Sequence, residues 1–371
     1  MLTAGQRRRR SSSIFRSLDV KEDLSRILVR LPTWVGDAVM ATPALRALRR
    51  RFPLSTIALM GAEHLQPLLS GANFFDHWIS TATGPQRVSK NIAEAREFGA
   101  DAALILPHSF RSAWEIWRAN IPRRIGFSGQ WRGWLLSDPL RRHRLPEGKR
   151  AVPMHYEYLE IVAVVGASGD GQGSVLEISE STRKSANARF GALSITDQQR
   201  WVGFHPGAAF GPSKIWPLER MAQVARTLRD DDGCGIVITC GPGEQELADD
   251  LESRIGGEVV NLARDLWPLD ELKVLMARLS LLITGDTGPR HIAAAVGTPQ
   301  VVLMGPTSPD FTAAFLEITT VIRKDLECSP CQQKICPLGH HQCMLEIEPQ
   351  QVISAARNWL QHSRTRDENP V

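Results

Sequence analysis

The sequence predicts an α/β fold in which two Rossmann-like halves, each with a parallel sheet, face a cleft. Short apolar runs alternate with helix-forming segments, which is the pattern of parallel strands joined by crossover helices. The chain has 371 residues, which is too long for one ordinary core and fits two domains. Turns rich in glycine or proline follow several strands, at the edge where open α/β sheets place their ligands.

Composition divides the chain into four segments. Residues 1–23 are a basic tail rich in arginine and serine, which we expect to be disordered, and residues 24–185 form an N-terminal Rossmann-like domain. Residues 186–350 form a C-terminal Rossmann-like domain, and residues 351–371 a last helix and tail. The N-terminus lacks the apolar stretch of a secretory signal, and no apolar run approaches the roughly 20 residues that span a bilayer. We therefore expect a cytoplasmic protein.

In the first half, apolar runs predict strands at Leu24–Leu31, Ser55–Met60, His77–Ile79, Ala102–Leu106 and Arg123–Phe127. Helix-forming segments lie between them, at Ala38–Arg51, Ala62–Ser70, Asn91–Phe98, Trp114–Ala119 and Met154–Ala167. The first of these helices ends in arginines, which suits the negative pole of its dipole. The basic stretch Trp131–Arg150 is expected to be irregular.

In the second half, strands are predicted at Trp201–Phe204, Gly235–Thr239, Glu258–Asn261, Leu281–Thr284 and Gln300–Met304. The predicted helices are Leu218–Leu228, Glu244–Arg254, Leu269–Arg278, Pro289–Val296 and Val352–Gln361. Pro289 suits the first turn of a helix because its φ is fixed and it has no N–H to satisfy. Neither half carries Gly-x-Gly-x-x-Gly after its first strand, which argues against a nicotinamide dehydrogenase.

Charge is unevenly distributed along the chain. The net charge is only +4, but residues 1–185 carry 27 Lys and Arg against 17 Asp and Glu, and the remainder carries 17 against 23. A basic first half suits nucleic acid, acidic lipid or a phosphorylated glycolipid, although a solvated basic surface would give the same counts. No zinc finger, RNA-binding aromatic motif or heptad repeat supports nucleic acid, so we expect no such partner.

The clearest site motif is the polar turn Gly285–Gly288 between two apolar strands. Asp286, Thr287 and Gly288 precede a short helix that carries His291. Free N–H groups and the positive end of that helix dipole suit a phosphate, and Asp286 is placed to accept bonds from ribose or sugar hydroxyls. The alternative is an ordinary strand-turn-helix with a conventional cap.

A second strand-to-helix turn contains Gly36 and Asp37. Gly36 permits close approach of the backbone, and Asp37 lies at or beside the helix N-terminus, with its carboxylate able to point into the cleft. The alternative is that Asp37 only caps the helix, a role worth about 1 kcal/mol.

Two turns of the second half carry further charges. Lys214 is the only cation in the glycine- and proline-rich loop 205–217, and it could neutralise a diphosphate as a mobile charge. A solvated surface lysine is the alternative. Glu244 and Glu246 begin a helix after a glycine-rich turn, where acids are ordinary partners of the helix dipole.

The loops of the basic half offer polar side chains for an anionic saccharide, namely His108, Ser109, Arg111, Arg123 and Arg124. Arginines there could hold phosphates or carboxylates in bidentate fashion, although scattered surface arginines are equally expected. Trp131 and Trp134 could stack on sugar or touch lipid, although buried packing is the commoner fate of tryptophan.

Four of the six cysteines cluster near the C-terminus, at Cys328, Cys331, Cys336 and Cys343. Four thiols this close could form a tetrahedral, structural zinc site, although the spacing is tighter than in most zinc ribbons. Disulfides conflict with a cytoplasmic location, and inert structural thiols are the alternative. No nearby acid or base would give a metal there a catalytic partner.

Together these motifs resemble glycosyltransferase family 9, the bacterial heptosyltransferases that build the lipopolysaccharide core. The resemblance covers about residues 27–352 and rests on Gly36-Asp37, Lys214-x-Trp-Pro and the family pattern Asp-Thr-Gly-x-x-His, which is Asp286, Thr287, Gly288 and His291 here. Trp-Val-Gly-Asp and the cysteine cluster are similar to the heptosyltransferase II branch.

The resemblance implies the GT-B fold and inverting transfer of heptose from ADP-L-glycero-D-manno-heptose to the lipopolysaccharide inner core. The acceptor would be of the heptosyl-Kdo2-lipid A type, with peripheral contact at the inner membrane. Asp37 is then the general base that takes the proton of the acceptor hydroxyl. Lys214, the turn 285–288 and His291 stabilise the departing diphosphate, where negative charge grows.

The resemblance also implies roles for the remaining donor residues. Ser213 takes the place of the Ser or Thr that often precedes the family's lysine. Asp286 and Glu244 position the nucleoside or sugar, with Glu246 as the second candidate for the glutamate. GT-B enzymes need no metal-bridging Asp-x-Asp site, so no cofactor is expected to be required. The alternatives are another nucleotide-sugar enzyme on this fold, such as an epimerase, and a non-catalytic sugar-nucleotide-binding protein.

Overall fold

A computed structural model describes residues 23–142, 153–312 and 316–367, which form two six-stranded parallel sheets with flanking helices. The predicted α/β architecture with two Rossmann-like halves is confirmed. Nearly all of the predicted tail 1–23 and part of the basic stretch 131–150 lie outside the described residues.

The first sheet contains β1 Arg26–Arg30, β2 Thr56–Gly61, β3 His77–Ser80, β4 Ala102–Ile105, β5 Arg123–Phe127 and β6 Asp138–Leu140. Its strand order is β3-β2-β1-β4-β5-β6. The helices of this half are α1 Val35–Met40, α2 Thr42–Arg51, α3 Leu65–Leu69, α4 Arg87–Phe98, α5 Phe110–Arg118 and α6 Met154–Ala163. Strand β1 is central and covered on both faces, so its residues Ile27–Val29 are apolar and buried.

The second sheet contains β7 Trp201–His205, β8 Gly235–Ile238, β9 Val260–Asn261, β10 Leu281–Gly285, β11 Gln300–Met304 and β12 Thr319–Arg323. Its order is β12-β11-β10-β7-β8-β9. The helices are α7 Glu180–Ala192, α8 Leu218–Asp230, α9 Gln245–Ile255, α10 Leu269–Arg278, α11 Gly288–Ala295, α12 Pro309–Thr312, α13 Gln342–Leu345 and α14 Pro349–Asp367. Because the strands of each sheet are parallel, the turns at their carboxyl ends lie on one side of the sheet. In both sheets this side faces the other half.

The predicted single helix over Ala38–Arg51 is wrong, because the structure divides it at Ala41 into α1 and α2. Pro43 has no N–H to continue the helical ladder. The carbonyl of Val39, which that N–H would have reached, accepts a bond of 2.8 Å from the Thr42 hydroxyl instead. The break limits α1 to six residues.

Strands β6 and β12 were not predicted from the sequence. Both lie at a sheet edge and are only partly buried, so neither shows the continuous apolar run of a central strand. Strand β6 also contains Pro139, which is tolerated at an edge.

The two halves share one apolar core, because α10 packs against α3 and α11 packs against α1. Phe190 of α7 lies against Trp267, with ring centroids 5.5 Å apart. Lys273 of α10 is buried and donates to the carbonyls of Ser70 at 2.6 Å and Leu68 at 3.2 Å, at the end of α3 in the other half. The predicted boundary between residues 185 and 186 falls inside α7. The predicted domain limits stay a prediction.

Among the helices that the structure describes, none is long and apolar enough to cross a bilayer.

Candidate active site

The two strand-to-helix turns singled out in the sequence meet across the boundary between the halves. A Cβ placed on Gly36 of α1 would lie 2.7 Å from Cδ2 of His291 in α11. A Cβ on Gly288 would lie 3.2 Å from the Cβ of Val35. Glycine at both positions therefore lets the first turns of α1 and α11 approach more closely than larger residues would allow.

Two cavities open beside this contact. The cleft cavity, of about 510 Å³, is lined on one side by Asp37 and His108 and on the other by Lys214, Asp286 and His291. The apolar cavity, of about 620 Å³, is lined by residues that include His205, Glu244, Trp267 and Leu272. Both cavities share Trp34, Gly36, Ala209, Thr287 and Gly288. The N-terminus of α11 thus lies between them.

Asp37 is half-buried in the wall of the cleft cavity. It belongs to the first turn of α1, where the helix dipole favours a carboxylate, while Trp34 holds the N-cap position. Asp37 is therefore not the N-cap residue itself. Asp37 comes from the first half, whereas Lys214, which lines the same cavity, comes from the second half.

Asp286 is the centre of a buried ion cluster at the base of the cleft cavity. Its Oδ1 accepts from Arg290 Nη1 at 2.7 Å, and its Oδ2 lies 3.1 Å from Lys214 Nζ. Burial raises the pKa of this carboxyl, but the charges of Arg290 and Lys214 outweigh burial and hold the pKa well below its usual range. Both oxygens are engaged, so Asp286 holds these two cations in place. Its predicted contact with a ribose or sugar hydroxyl stays a prediction, since each carboxylate oxygen can accept a further bond.

Arg290 was missed by the sequence analysis. It lies one helical turn after Asp286 and is 1% exposed. The i, i+4 spacing from Asp286 was the available signal, but arginine in a helix is usually a surface residue.

Lys214 reaches into the cleft cavity from the end of a 3₁₀ turn over Pro212–Lys214. Its Nζ donates to the carbonyl of Asp286 at 2.6 Å and lies 4.8 Å from the centre of the Phe210 ring. These contacts hold the ammonium group at the N-terminal end of α11, which excludes the alternative of a solvated surface lysine.

Ser213 faces away from both cavities, contrary to the prediction that it contacts a donor. Its hydroxyl donates to the carbonyl of Gln333 at 2.6 Å, and its N–H to that of Lys334 at 3.1 Å. Its own carbonyl lies 2.6 Å from His341 Nε2. The cysteine-bearing segment thus braces the loop that carries Lys214.

His291 is buried in α11 against Gly36. Burial, reinforced by the charge of Arg290, lowers the pKa of its imidazole to about 3. The ring is therefore neutral at physiological pH. It can offer an N–H to a ligand in the cleft cavity, but not a positive charge.

Glu244 lines the apolar cavity, whereas Glu246, the second candidate, is exposed. Glu244 Oε2 accepts from the Gly241 N–H at 2.7 Å and lies 3.5 Å from Nε2 of His205. His205 was also missed, although it opens the glycine-rich loop that drew attention to Lys214. Burial lowers the pKa of His205 despite the neighbouring carboxylate.

Of the predicted acceptor residues, only His108 lines the cleft cavity among the described side chains. Its Nε2 lies 3.0 Å from the buried carboxylate of Glu157. Ser109 caps α5, and Arg111 lies in the first turn of that helix with its side chain exposed. Arg124 donates to the carbonyls of Leu135 and Ile121, each at 2.7 Å, while Arg123 pairs with Asp138 at 3.3 Å. These last two arginines hold loop structure.

All four clustered cysteines line one small cavity of about 20 Å³, together with His340 and His341. Cys328, Cys331, Cys336 and Cys343 carry free thiols. Within the described ranges, no three His, Cys, Asp or Glu side chains are arranged to hold a metal ion. The structural zinc expected here stays a prediction.

The chain is similar in sequence to proteins of one known family. The model of glycosyltransferase family 9 (heptosyltransferase) matches residues 89–342. Lipopolysaccharide heptosyltransferase 2 of Escherichia coli strain K12 is 31% identical over 346 residues, covering 88% of this chain and 96% of that protein. The enzyme of the same name from Salmonella typhimurium is 30% identical, covering 90% of this chain and 98% of its own.

Solved structures agree with these relatives. The ADP-heptose lipopolysaccharide heptosyltransferase II of E. coli superposes with a TM-score of 0.76 at 30% identity, covering 91% of this chain and 99% of that one. A family 9 glycosyltransferase from Veillonella parvula gives a TM-score of 0.78 at 26% identity, covering 91% and 97%. The predicted GT-B fold is confirmed by these neighbours.

Proposed function

The chain belongs to glycosyltransferase family 9, and from this we propose that it transfers heptose from ADP-L-glycero-D-manno-heptose to the lipopolysaccharide inner core. The observation that carries the proposal is the cleft cavity, in which Asp37 of one half and Lys214 of the other line a single space. Relatives named for this reaction match nearly the whole chain.

Asp37 takes the proton of an acceptor hydroxyl as that oxygen attacks the anomeric carbon of the donor. The bond between this carbon and the diphosphate breaks, and ADP leaves with the bonding electrons, so the configuration inverts. Lys214 lies where negative charge grows on the departing diphosphate and stabilises it. His291, being neutral, adds only an N–H.

The donor spans the two cavities in this proposal. The diphosphate lies at the first turn of α11, which both cavities share and where backbone N–H groups of residues such as Thr287 and Gly288 are unpaired within the helix. The nucleoside occupies the apolar cavity, where Glu244 is its polar contact. Asp286 acts through Lys214, which it holds in place.

The acceptor approaches from the side of the first half, where His108 lines the cleft cavity. An inner-core acceptor of the heptosyl-Kdo2-lipid A type is lipid-anchored, so we place the reaction on the cytoplasmic face of the inner membrane. The basic first half supports this placement because the acceptor and the membrane surface are both anionic.

No cofactor is required for this transfer, since every group it uses is supplied by the chain. A zinc ion held by Cys328, Cys331, Cys336 and Cys343 would be structural and would support the loop of Lys214 through Ser213. Metal analysis of the purified protein, with thermal melting before and after chelation, tests that role separately from activity.

The test of the function is ADP release from ADP-L-glycero-D-manno-heptose, measured with and without a monoheptosylated Kdo2-lipid A acceptor. We expect release that depends on the acceptor, together with a product whose new glycosidic bond has the inverted configuration. Donor consumption without acceptor would favour a nucleotide-sugar enzyme such as an epimerase. Donor binding with no turnover on any core acceptor would favour a non-catalytic sugar-nucleotide-binding protein.

A further inference from the structure

An exposed aromatic surface lies next to the acceptor side of the cleft. Phe110, Trp114, Trp117 and Trp134 form a connected cluster with ring centroids 5.1–6.4 Å apart, and Trp131 stands on the same turn as Trp134. We call these five residues the aromatic face. It begins two residues after His108, which lines the cleft cavity.

Trp114 and Trp117 are half-buried and pack against the core, but folding does not explain the exposure of the other indole rings of the aromatic face. Trp131 is 92% exposed and Trp134 is 60% exposed, so buried packing, the commoner fate of tryptophan, is excluded for both. Trp131 also has a φ of 59°, in the left-handed region that bulky residues avoid at a cost of roughly 1–2 kcal/mol. Helix α5 buries its other side, including Ala113 and Ile116, in the core. The sequence thus places indole rings in solvent at a conformational cost.

The charge around the aromatic face is positive. Residues 110–142 contain seven arginines against two acids. Arg132 is buried and two others hold loops, but Arg111, Arg118 and Arg141 are exposed. Both acids are paired within the fold, since Glu115 is buried 3.8 Å from Arg30 and Asp138 bonds Arg123. Arg118 is exposed, with its guanidinium carbon 5.6 Å from the centre of the Trp114 ring. Aromatic rings bordered by arginine suit the headgroup region of an anionic bilayer.

We propose that the aromatic face docks on the surface of an anionic phospholipid bilayer and holds the acceptor side of the cleft against it. The inference rests on the proposed function in one respect, because a lipid-anchored acceptor is what makes such docking useful. Trp131 and Trp134 enter the headgroup layer, and Arg118 contacts lipid phosphates.

Two other occupants fit the same surface less well. Bases of nucleic acid need open ring faces, but Trp134 packs edge-to-face on Trp114 and Trp117 with interplanar angles of 74° and 72°. A second copy of the chain would bring two positively charged surfaces together, which is repulsive.

The test is flotation of the full chain with vesicles of phosphatidylcholine alone, and with vesicles of phosphatidylcholine and phosphatidylglycerol in equal amounts. We expect binding to the anionic vesicles, weakened by salt, with a blue shift of indole fluorescence. The double variant Trp131→Ser/Trp134→Ser should bind roughly tenfold more weakly. Arg118→Ser should bind severalfold more weakly and lose part of the salt dependence.

The matched control is Leu54→Ser. Leu54 is 98% exposed and precedes β2. It therefore lies at the amino ends of the strands, on the side of the sheet away from the cleft, and its loss should leave vesicle binding unchanged. Since all substituted side chains are exposed, a thermal melt close to that of the wild type verifies folding of each variant. A second readout is transfer to a deacylated, soluble acceptor, which the double variant should perform like the wild type, while its transfer to acceptor embedded in vesicles should fall.

Several results would overturn the docking proposal. The first two concern vesicles: the wild-type chain does not bind anionic vesicles, or the double variant binds them as well as the wild type does. The third is that the double variant no longer transfers heptose to the soluble acceptor. The fourth is that the wild-type chain binds an RNA oligonucleotide in place of vesicles. A wild-type dimer that the double variant dissolves would also overturn it. Vesicle binding needs no donor, so it can succeed where heptose transfer fails, and transfer to the soluble acceptor can succeed where docking fails.

Discussion

Asp37 is the residue on which the proposed chemistry depends. Replacing it with asparagine keeps its shape but removes the proton acceptor, so we expect the turnover rate to fall by roughly 10²–10⁴-fold. Affinity for ADP-heptose, measured by calorimetry, should stay close to that of the wild type because Lys214 and α11 are untouched. Asp325→Asn is the matched control, since that side chain is 93% exposed and lines neither cavity. Full activity in Asp37→Asn would remove Asp37 from the mechanism.

Lys214 is the cation that lies at the N-terminus of α11. Its change to glutamine removes a charge-assisted contact to the diphosphate, so we expect donor affinity to fall by roughly 10–100-fold and turnover to fall as well. Arg290 still pairs with Asp286 in this variant, which preserves the buried cluster. Donor affinity is measured by titration calorimetry beside Lys184→Gln, whose side chain is 78% exposed and lines neither cavity. Equal affinities in the two variants would contradict a phosphate-binding role.

The contact between α1 and α11 is the element on which the geometry of the cleft depends. Gly36→Ala would place a Cβ against the ring of His291 and push the two helices apart. We expect a loss of roughly 1–3 kcal/mol in stability and a disproportionate loss of activity, because Asp37 and Lys214 separate. Gly191→Ala in α7 has open space around it and should keep activity and gain a few tenths of a kcal/mol or more. Denaturant titrations and initial rates decide between these outcomes.

The strands and helices around the site were largely predictable from the sequence. The turns that join them contain glycine or proline beside a charged residue, as at Gly36-Asp37 and Gly285-Asp286. Arg290 was not predictable, because its pairing with Asp286 matters only once α11 is known to be buried on that side. Ser213 was placed wrongly for a related reason. The direction of its hydroxyl is set by the carbonyl of Gln333, 120 positions later in the chain, and no local pattern records that contact.

At the scale of the whole molecule, Lys273 connects the two halves by donating to carbonyls at the end of α3. Replacement by methionine keeps the volume but leaves these buried carbonyls without a donor, so we expect roughly 1–3 kcal/mol of destabilisation. Thermal melting and urea titration measure it, with exposed Lys184→Met as the control. A single transition at lower temperature is expected if the halves unfold together. An unchanged melt would show that water replaces the ammonium group.

Acid should destabilise the whole molecule through its buried histidines. Burial lowers the pKa of His155 to about 4 and, with the charge of Arg290, that of His291 to about 3, against about 6.5 in the unfolded chain. Below about pH 6.5 the unfolded state therefore binds protons that the folded state excludes, so the free energy of unfolding is greatest above this pH and declines as the pH falls toward 3.

The carboxyl of Asp286 adds to this decline at the acid end, because its pKa is depressed in the fold and its stabilising contribution is lost only as the pH drops below its ordinary value. Urea titrations across this range should show the slope for the wild type and for His77→Gln, whose ring is exposed. His291→Gln should flatten it, because the substituted side chain does not titrate. The remaining slope then reports Asp286, the half-buried His155 and the buried His205. A slope as steep as that of the wild type would mean that His291 takes up its proton without unfolding.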